Sequence, residues 1–116
     1  MQIELKVPHV WLACEPVDFR KAAHGLSEIV AQQFKRTLDN EVFIFFNRAK
    51  TTLKILGYHR GGVVLIYKRL DTGKFTVKTE DDGLCSLNEQ SLSWLLAGLD
   101  WVKMSDFPEL AYTDFC

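Results

Sequence analysis

The chain is poor in the residues that mark a specialised chemistry. It has three cysteines, Cys14, Cys85 and Cys116, and none forms a CxxC pair. An odd, scattered set does not suit a disulfide framework and fits a reducing compartment, so a cytoplasmic protein is expected. The three histidines, His9, His24 and His59, also stand alone. Zinc sites usually draw ligands from positions two to five apart, so no metal is expected. No apolar run approaches the ~20 residues that cross a bilayer. The opening Met1-Gln2-Ile3-Glu4-Leu5-Lys6 lacks the cationic start and cleavage site of an export signal. Gly61-Gly62 has no lysine and helix after it, so it is no phosphate loop. Serine–histidine and cysteine–histidine nucleophile signatures are missing. Glu4 and Lys6 have the Glu-x-Lys spacing of one nuclease class, but no acid precedes them, and metal-assisted hydrolysis needs converging carboxylates. Asp81-Asp82 reads as a solvated turn. The expectation is a protein with no catalytic residue and no cofactor.

Net charge is the other apparent lack, and it misleads. The formal total over 116 residues is −1. Twelve of the 14 Lys and Arg lie between Arg20 and Lys78, against the four acids Glu28, Asp39, Glu41 and Asp71, which makes this segment +8. From Glu80 onward one cation, Lys103, faces eight acids. A basic body joined to an acidic end is a functional signal that the total hides.

A chain of this length is one domain. Residues 3 to 7 read as a short strand ended by Pro8, because proline has no N–H for a ladder. Val10-Trp11-Leu12-Ala13 is a second apolar piece. Asp18 suits a helix N-cap. Phe19, Ala22, Ala23, Leu26, Ile29, Val30 and Phe34 then recur at three and four, the stripe of an amphipathic helix. Gly25 in its middle suggests close backbone packing. Val42 to Phe46 is apolar on both faces, as a central strand is. Asn47-Arg48-Ala49-Lys50 is a turn, Thr52 to Tyr58 a strand, His59 to Gly62 a turn and Val63 to Lys68 the returning strand. After a turn at Asp71-Thr72-Gly73, Phe75-Thr76-Val77-Lys78 alternates as a half-exposed strand. Glu80 to Gly83 is an acidic loop. A second helix starts at Asn88, or at Ser86 with Glu89 closing a capping box, and Gly98 ends it. The fold class is α+β: a mostly antiparallel β-meander flanked by an N-terminal and a C-terminal helix, over residues 1–103. Residues 104–116 form an acidic, loosely packed tail.

Several segments occur in an informative order: Val10-Trp11-Leu12-Ala13, Pro16-Val17-Asp18-Phe19-Arg20-Lys21, Gly25-Leu26, Val42-Phe43-Ile44-Phe45 and Asn47-Arg48. They continue with Leu53-Lys54-Ile55-Leu56, Leu65-Ile66-Tyr67-Lys68-Arg69-Leu70, Gly73-Lys74-Phe75 and Leu95-Leu96-Ala97-Gly98-Leu99-Asp100-Trp101. This set resembles the TnpB-type accessory protein, the second open reading frame, of the insertion sequence 66 transposon family. The resemblance implies an assisting role in transposition, with the DNA-cutting chemistry carried by a separate, larger transposase, and it carries over no catalytic residue. The chain departs from the family pattern at Ala49-Lys50-Thr51-Thr52, where relatives have a denser basic run. It departs again at Tyr58-His59, in place of Trp-Asp, and at Thr76-Val77, in place of an aromatic-proline pair.

The contact candidates are Arg20, Lys21, Arg48, Lys50, Lys54, Arg60, Lys68 and Arg69, which could line one face and neutralise phosphates or an acidic protein surface. Tyr58 and Tyr67 could stack on bases if exposed. The bland alternative is that these cations are the solvated sides of a helix and a sheet. Asp18 with Arg20-Lys21 admits either a helix start with exposed cations or an Asp–Arg pair that buttresses the Lys68-Arg69 end of the sheet. Phe107, Leu110, Tyr112 and Phe115, interleaved with acids, form either a docking tail or a frayed terminus. The expected partners are the element-encoded transposase or another accessory subunit, with element DNA as a further candidate. The first rival reading is a protein–protein interaction module that binds no nucleic acid; the second is a small enzyme, which would need a deep pocket with converging carboxylates or histidines. A homodimer through the sheet edge or the tail is a further option, and nothing in the sequence fixes the oligomeric state.

Overall fold

The computed structural model describes residues 9–78 and 83–105. The expected strand at 3–7, most of the acidic loop and the tail from 106 onward lie outside these residues. The elements are β1 (His9–Ala13), α1 (Ala23–Glu28), β2 (Glu41–Phe46), β3 (Thr52–His59), β4 (Gly62–Arg69), β5 (Leu84–Leu87), α2 (Glu89–Leu96) and α3 (Trp101–Ser105). The strands make one sheet in the order β4-β3-β2-β1-β5. β2-β3-β4 is an antiparallel meander, β5 runs antiparallel to β1, and β1 and β2 are parallel. The meander is therefore only part of a mixed sheet. The parallel pair needs a crossover, and the chain through α1 supplies it.

β2, central in the sheet, is buried on both faces, which is why it reads as a continuous apolar run. Phe43 and Phe45 pack in a cluster with Leu26, Val30 and Leu56, on the side of α1. Ile44 and Phe46 alternate to the other cluster, with Leu12, Leu53, Leu95 and Trp101. All four β2 side chains are essentially inaccessible. Burial of each contributes about 1.5–3 kcal/mol relative to exposure.

The first helix starts later than its stripe suggests. Its N-cap is Ala22, with no side-chain cap. Asp18 instead accepts the Arg20 backbone N–H at 2.9 Å, within a turn closed by Lys21 N–H to Asp18 O. The carbonyls of Phe19 and Lys21, which would open a helical ladder, are taken by the Lys54 ammonium. The helix then widens into a π-helical turn over Ile29–Gln33, with Phe34 N–H bonded to Ile29 O. A Cβ on Gly25 would meet the Lys21 side chain at 3.2 Å, so the neighbour there is a flexible side chain and not a second backbone.

The β3–β4 hairpin turns on Arg60 and Gly61, both at positive φ (48° and 83°), and Gly62 already belongs to β4. Two left-handed residues in a two-residue loop match the twist of the strands they join. Phe75 to Lys78 is not a strand. Phe75 N–H goes to Lys50 O, and Thr76 O accepts the Trp101 indole at 2.8 Å, so these groups serve a turn and a side chain instead of a ladder. Leu84–Leu87 provides the fifth strand. Asn88 caps α2 by accepting the Ser91 N–H at 2.7 Å, which decides between the two expected starts, and Gly98 follows the helix at φ 78°.

Candidate functional site

The antiparallel register gathers most of the expected cations at one end of the sheet. β4 ends where β3 begins, with Arg69 opposite Thr52 and Lys68 opposite Leu53. The β2–β3 turn carries Arg48 and Lys50, both exposed, at the same end. Asn47 holds that turn: its Oδ1 accepts from Thr51 N–H at 2.9 Å and Thr52 N–H at 3.2 Å, and its Nδ2 donates to Thr51 Oγ1. Lys50 sits at φ 62°, with its carbonyl fixed by Phe75 N–H. The segment before α1 arrives there too, because Val17 N–H bonds Phe46 O. It brings Arg20 and Lys21, both exposed. Six of the eight candidates, Arg20, Lys21, Arg48, Lys50, Lys68 and Arg69, thus share one end of the sheet.

The other two do not join them at the surface. Arg60 is exposed at the tip of the β3–β4 hairpin, one strand length or ~25 Å from that end. Lys54 is buried, at 8% accessibility. Its Nζ donates to Phe19 O and Lys21 O, each at 2.9 Å, and lies 4.9 Å from the centre of the Phe19 ring. A cation so enclosed ties the 15–22 segment to the sheet and presents no charge to a partner.

The basic end also has internal compensation. The Arg20 guanidinium grips both oxygens of Asp18, with Nη2 to Oδ2 at 2.6 Å. The Arg20 side-chain and backbone hydrogen bonds hold the Asp18 carboxyl down to about 2, and the pairing raises the Arg20 pKa. This is the Asp–Arg alternative of the sequence reading, without a contact from Asp18 to Lys68 or Arg69. A further cation joins the group unforeseen. Lys74 is exposed and precedes Phe75, whose N–H is bonded to the Lys50 carbonyl. The Gly73-Lys74-Phe75 segment was visible in the sequence, but the expectation of a separate strand there concealed its place beside the turn.

Tyr58 and Tyr67 are half or more exposed, at 50% and 59%. They stand on one face of the sheet, Tyr67 toward the basic end and Tyr58 toward the hairpin tip. An open apolar groove of about 690 Å³ runs beside Tyr58 and Val63, walled by His24 and Ser27 of α1 and by Leu38. Among the described residues no group of three or more His, Cys, Asp or Glu could hold a metal ion, and no helix is long and apolar enough to cross a membrane.

The family model described as IS66 Orf2-like protein matches residues 8–106. The chain is 33% identical over 93 residues to the uncharacterized protein y4hO of Sinorhizobium fredii, covering 79% of this chain and 81% of that protein. It is 29% identical over 100 residues to the uncharacterized protein y4jC of the same organism, covering 85% and 86%. No solved structure matches the chain significantly.

Proposed function

The chain belongs to the IS66 Orf2-like family, and from that membership we propose that it is a non-catalytic accessory factor of DNA transposition, acting in the cytoplasm through its cationic end. The family ties the chain to insertion-sequence transposition in an accessory role. The finer reading is that Lys21, Arg48, Lys50, Lys68 and Arg69, with Lys74 beside them, meet the phosphates of element DNA. The observation that supports it is their shared exposure at one end of the sheet, on a turn and strand ends whose backbone is pinned. The pinned backbone sets where these side chains start, and each phosphate contact releases condensed counterions.

The test is fluorescence anisotropy of a labelled duplex carrying the element's terminal repeat, titrated with protein over a salt series. Binding whose log K falls with log salt at about −0.9 per phosphate contact supports the reading. No binding at low salt removes it. A second reading uses the same cations against an acidic surface of the transposase or another accessory subunit. It draws on the exposed apolar groove beside Tyr58 and Val63, which phosphate contact does not employ. Co-elution with purified transposase that survives nuclease treatment favours it.

A further inference from the structure

β4 is an edge strand of unusual openness. Among the described residues it pairs only with β3, so along eight residues one side of its backbone has no ladder partner. Natural edges are usually kept from pairing by proline, by charge within the strand, by bulges or by brevity. From Gly62 to Tyr67 this strand has none of these: it reads Gly-Val-Val-Leu-Ile-Tyr, and its pairing with β3 is unbroken. Lys68 and Arg69 charge only its last two positions. Of the four large apolar side chains that stand exposed among the described residues, Val63 (48%) and Tyr67 (59%) lie on this strand, and Tyr58 stands opposite Val63 on its neighbour.

The pairing rules define one fitting occupant. The two-residue turn makes His59–Gly62 a hydrogen-bonded pair, so Gly62, Val64, Ile66 and Lys68 bond β3, while Val63, Leu65 and Tyr67 direct N–H and C=O to the open edge. A second β4 that arrives antiparallel must oppose odd-numbered residues to odd-numbered ones. With Leu65 opposite the second copy's Leu65, Val63 falls opposite the second copy's Tyr67, and Tyr67 opposite its Val63. That register joins the two exposed apolar side chains on one face twice over. It also keeps Lys68 and Arg69 clear of their equivalents, whereas a parallel arrangement would stack the cations. The strand is thus complementary to itself about a two-fold axis, which is the requirement for an isologous interface.

We propose that this protein forms a symmetric homodimer through antiparallel pairing of its β4 edges, with Leu65 on the two-fold axis and the two sheets continuous. Val63 and Tyr67 are its specificity-determining pair. Both side chains are about half exposed, and the Tyr67 ring also meets Phe19 at 6.4 Å, so the fold of each variant is checked alongside its mass. Sedimentation equilibrium of the full chain is expected to give twice the 13.3 kDa chain mass. The double variant Val63→Lys/Tyr67→Lys sets like charges against each other at both ends of the interface and is expected to sediment as a monomer with an unchanged far-UV circular dichroism spectrum. The variant Val63→Glu/Tyr67→Lys sets opposite charges in the same places and is expected to restore the dimer. A wild-type monomer at millimolar concentration overturns the proposal. So does a like-charge variant that stays dimeric, or a charge-swapped variant that stays monomeric while folded.

Discussion

Lys54 Nζ and the Phe19 carbonyl oxygen, 35 residues apart in sequence, lie 2.9 Å from each other, and the same ammonium reaches the Lys21 carbonyl. This side chain, together with the Val17 N–H bond to Phe46 O, closes the 15–22 segment onto the sheet beneath the basic end. Its charge is spent on the fold.

Replacing Lys54 by Met keeps the apolar stem and leaves two carbonyls without their donor. Charge-assisted bonds contribute about 1.5–3 kcal/mol each and are not fully additive, so a loss of about 2–4 kcal/mol is expected. Urea unfolding measures it. At temperatures where the variant is folded, the salt slope of duplex binding should match wild type.

Reversing Arg48, Lys50, Lys68 and Arg69 together to Glu is expected to abolish duplex binding in the anisotropy assay. Arg60→Glu, at the opposite end of the sheet, should leave both affinity and salt slope close to wild type. A loss from Arg60→Glu equal to that from a single reversal within the group, such as Lys68→Glu, would mean that net charge, and not the gathered end, governs binding.

Asp18 masks one cation of that end. Asp18→Asn removes the carboxylate and frees Arg20, so duplex affinity should rise and the salt slope steepen by about 0.9. An unaltered slope would show that Arg20 stands outside the contact.

The same pair sets a pH signature. The Asp18 carboxyl titrates at about 2, below its ordinary 3.8, because Arg20 bonds the ionised form. A depressed carboxyl stabilises the fold above its unfolded pKa, and that contribution disappears as pH falls from the ordinary value through about 2. Carbon-detected NMR titration should find the Asp18 midpoint near 2 in wild type and raised in Arg20→Ala, yet still below its ordinary value, because the backbone N–H at position 20 remains.

Asn47→Ala deletes the three side-chain hydrogen bonds that brace the β2–β3 turn and leaves its two backbone bonds in place. A loss of about 1–3 kcal/mol is expected in thermal or urea unfolding, together with weaker duplex binding as Arg48 and Lys50 lose their fixed orientation.

The sequence made much of this legible. The β2-β3-β4 segment follows from period-two and continuous apolar runs broken by turn residues, and Asn88 and Gly98 bound a helix by their own chemistry. Other features depend on contacts that no local pattern encodes. The start of α1 moved from Asp18 to Ala23 because Lys54, from a strand, claims the carbonyls between. β5 escaped notice because four residues with Ser86 among them are too short to alternate, and its identity depends on β1, more than seventy positions earlier. Trp101 was visible as a residue, but α3 was not, since it rests on an indole bonded to Thr76. For the basic end, charge density was readable along the chain. Its sorting into a gathered group, a buried strut and a distant hairpin tip came from register and burial.

The partnership of β1 with β5 has an outcome for the order in which the chain is made. Among the described strands β1 is synthesised before β5, the strand that shields its outer side. A gene copy cut short by a stop codon before Leu84 would yield the meander and the crossover helix with the backbone of Val10 to Ala13 open to other chains. Such a product is a candidate for aggregation and proteolysis, so β5 acts as a seal on the strand it pairs with.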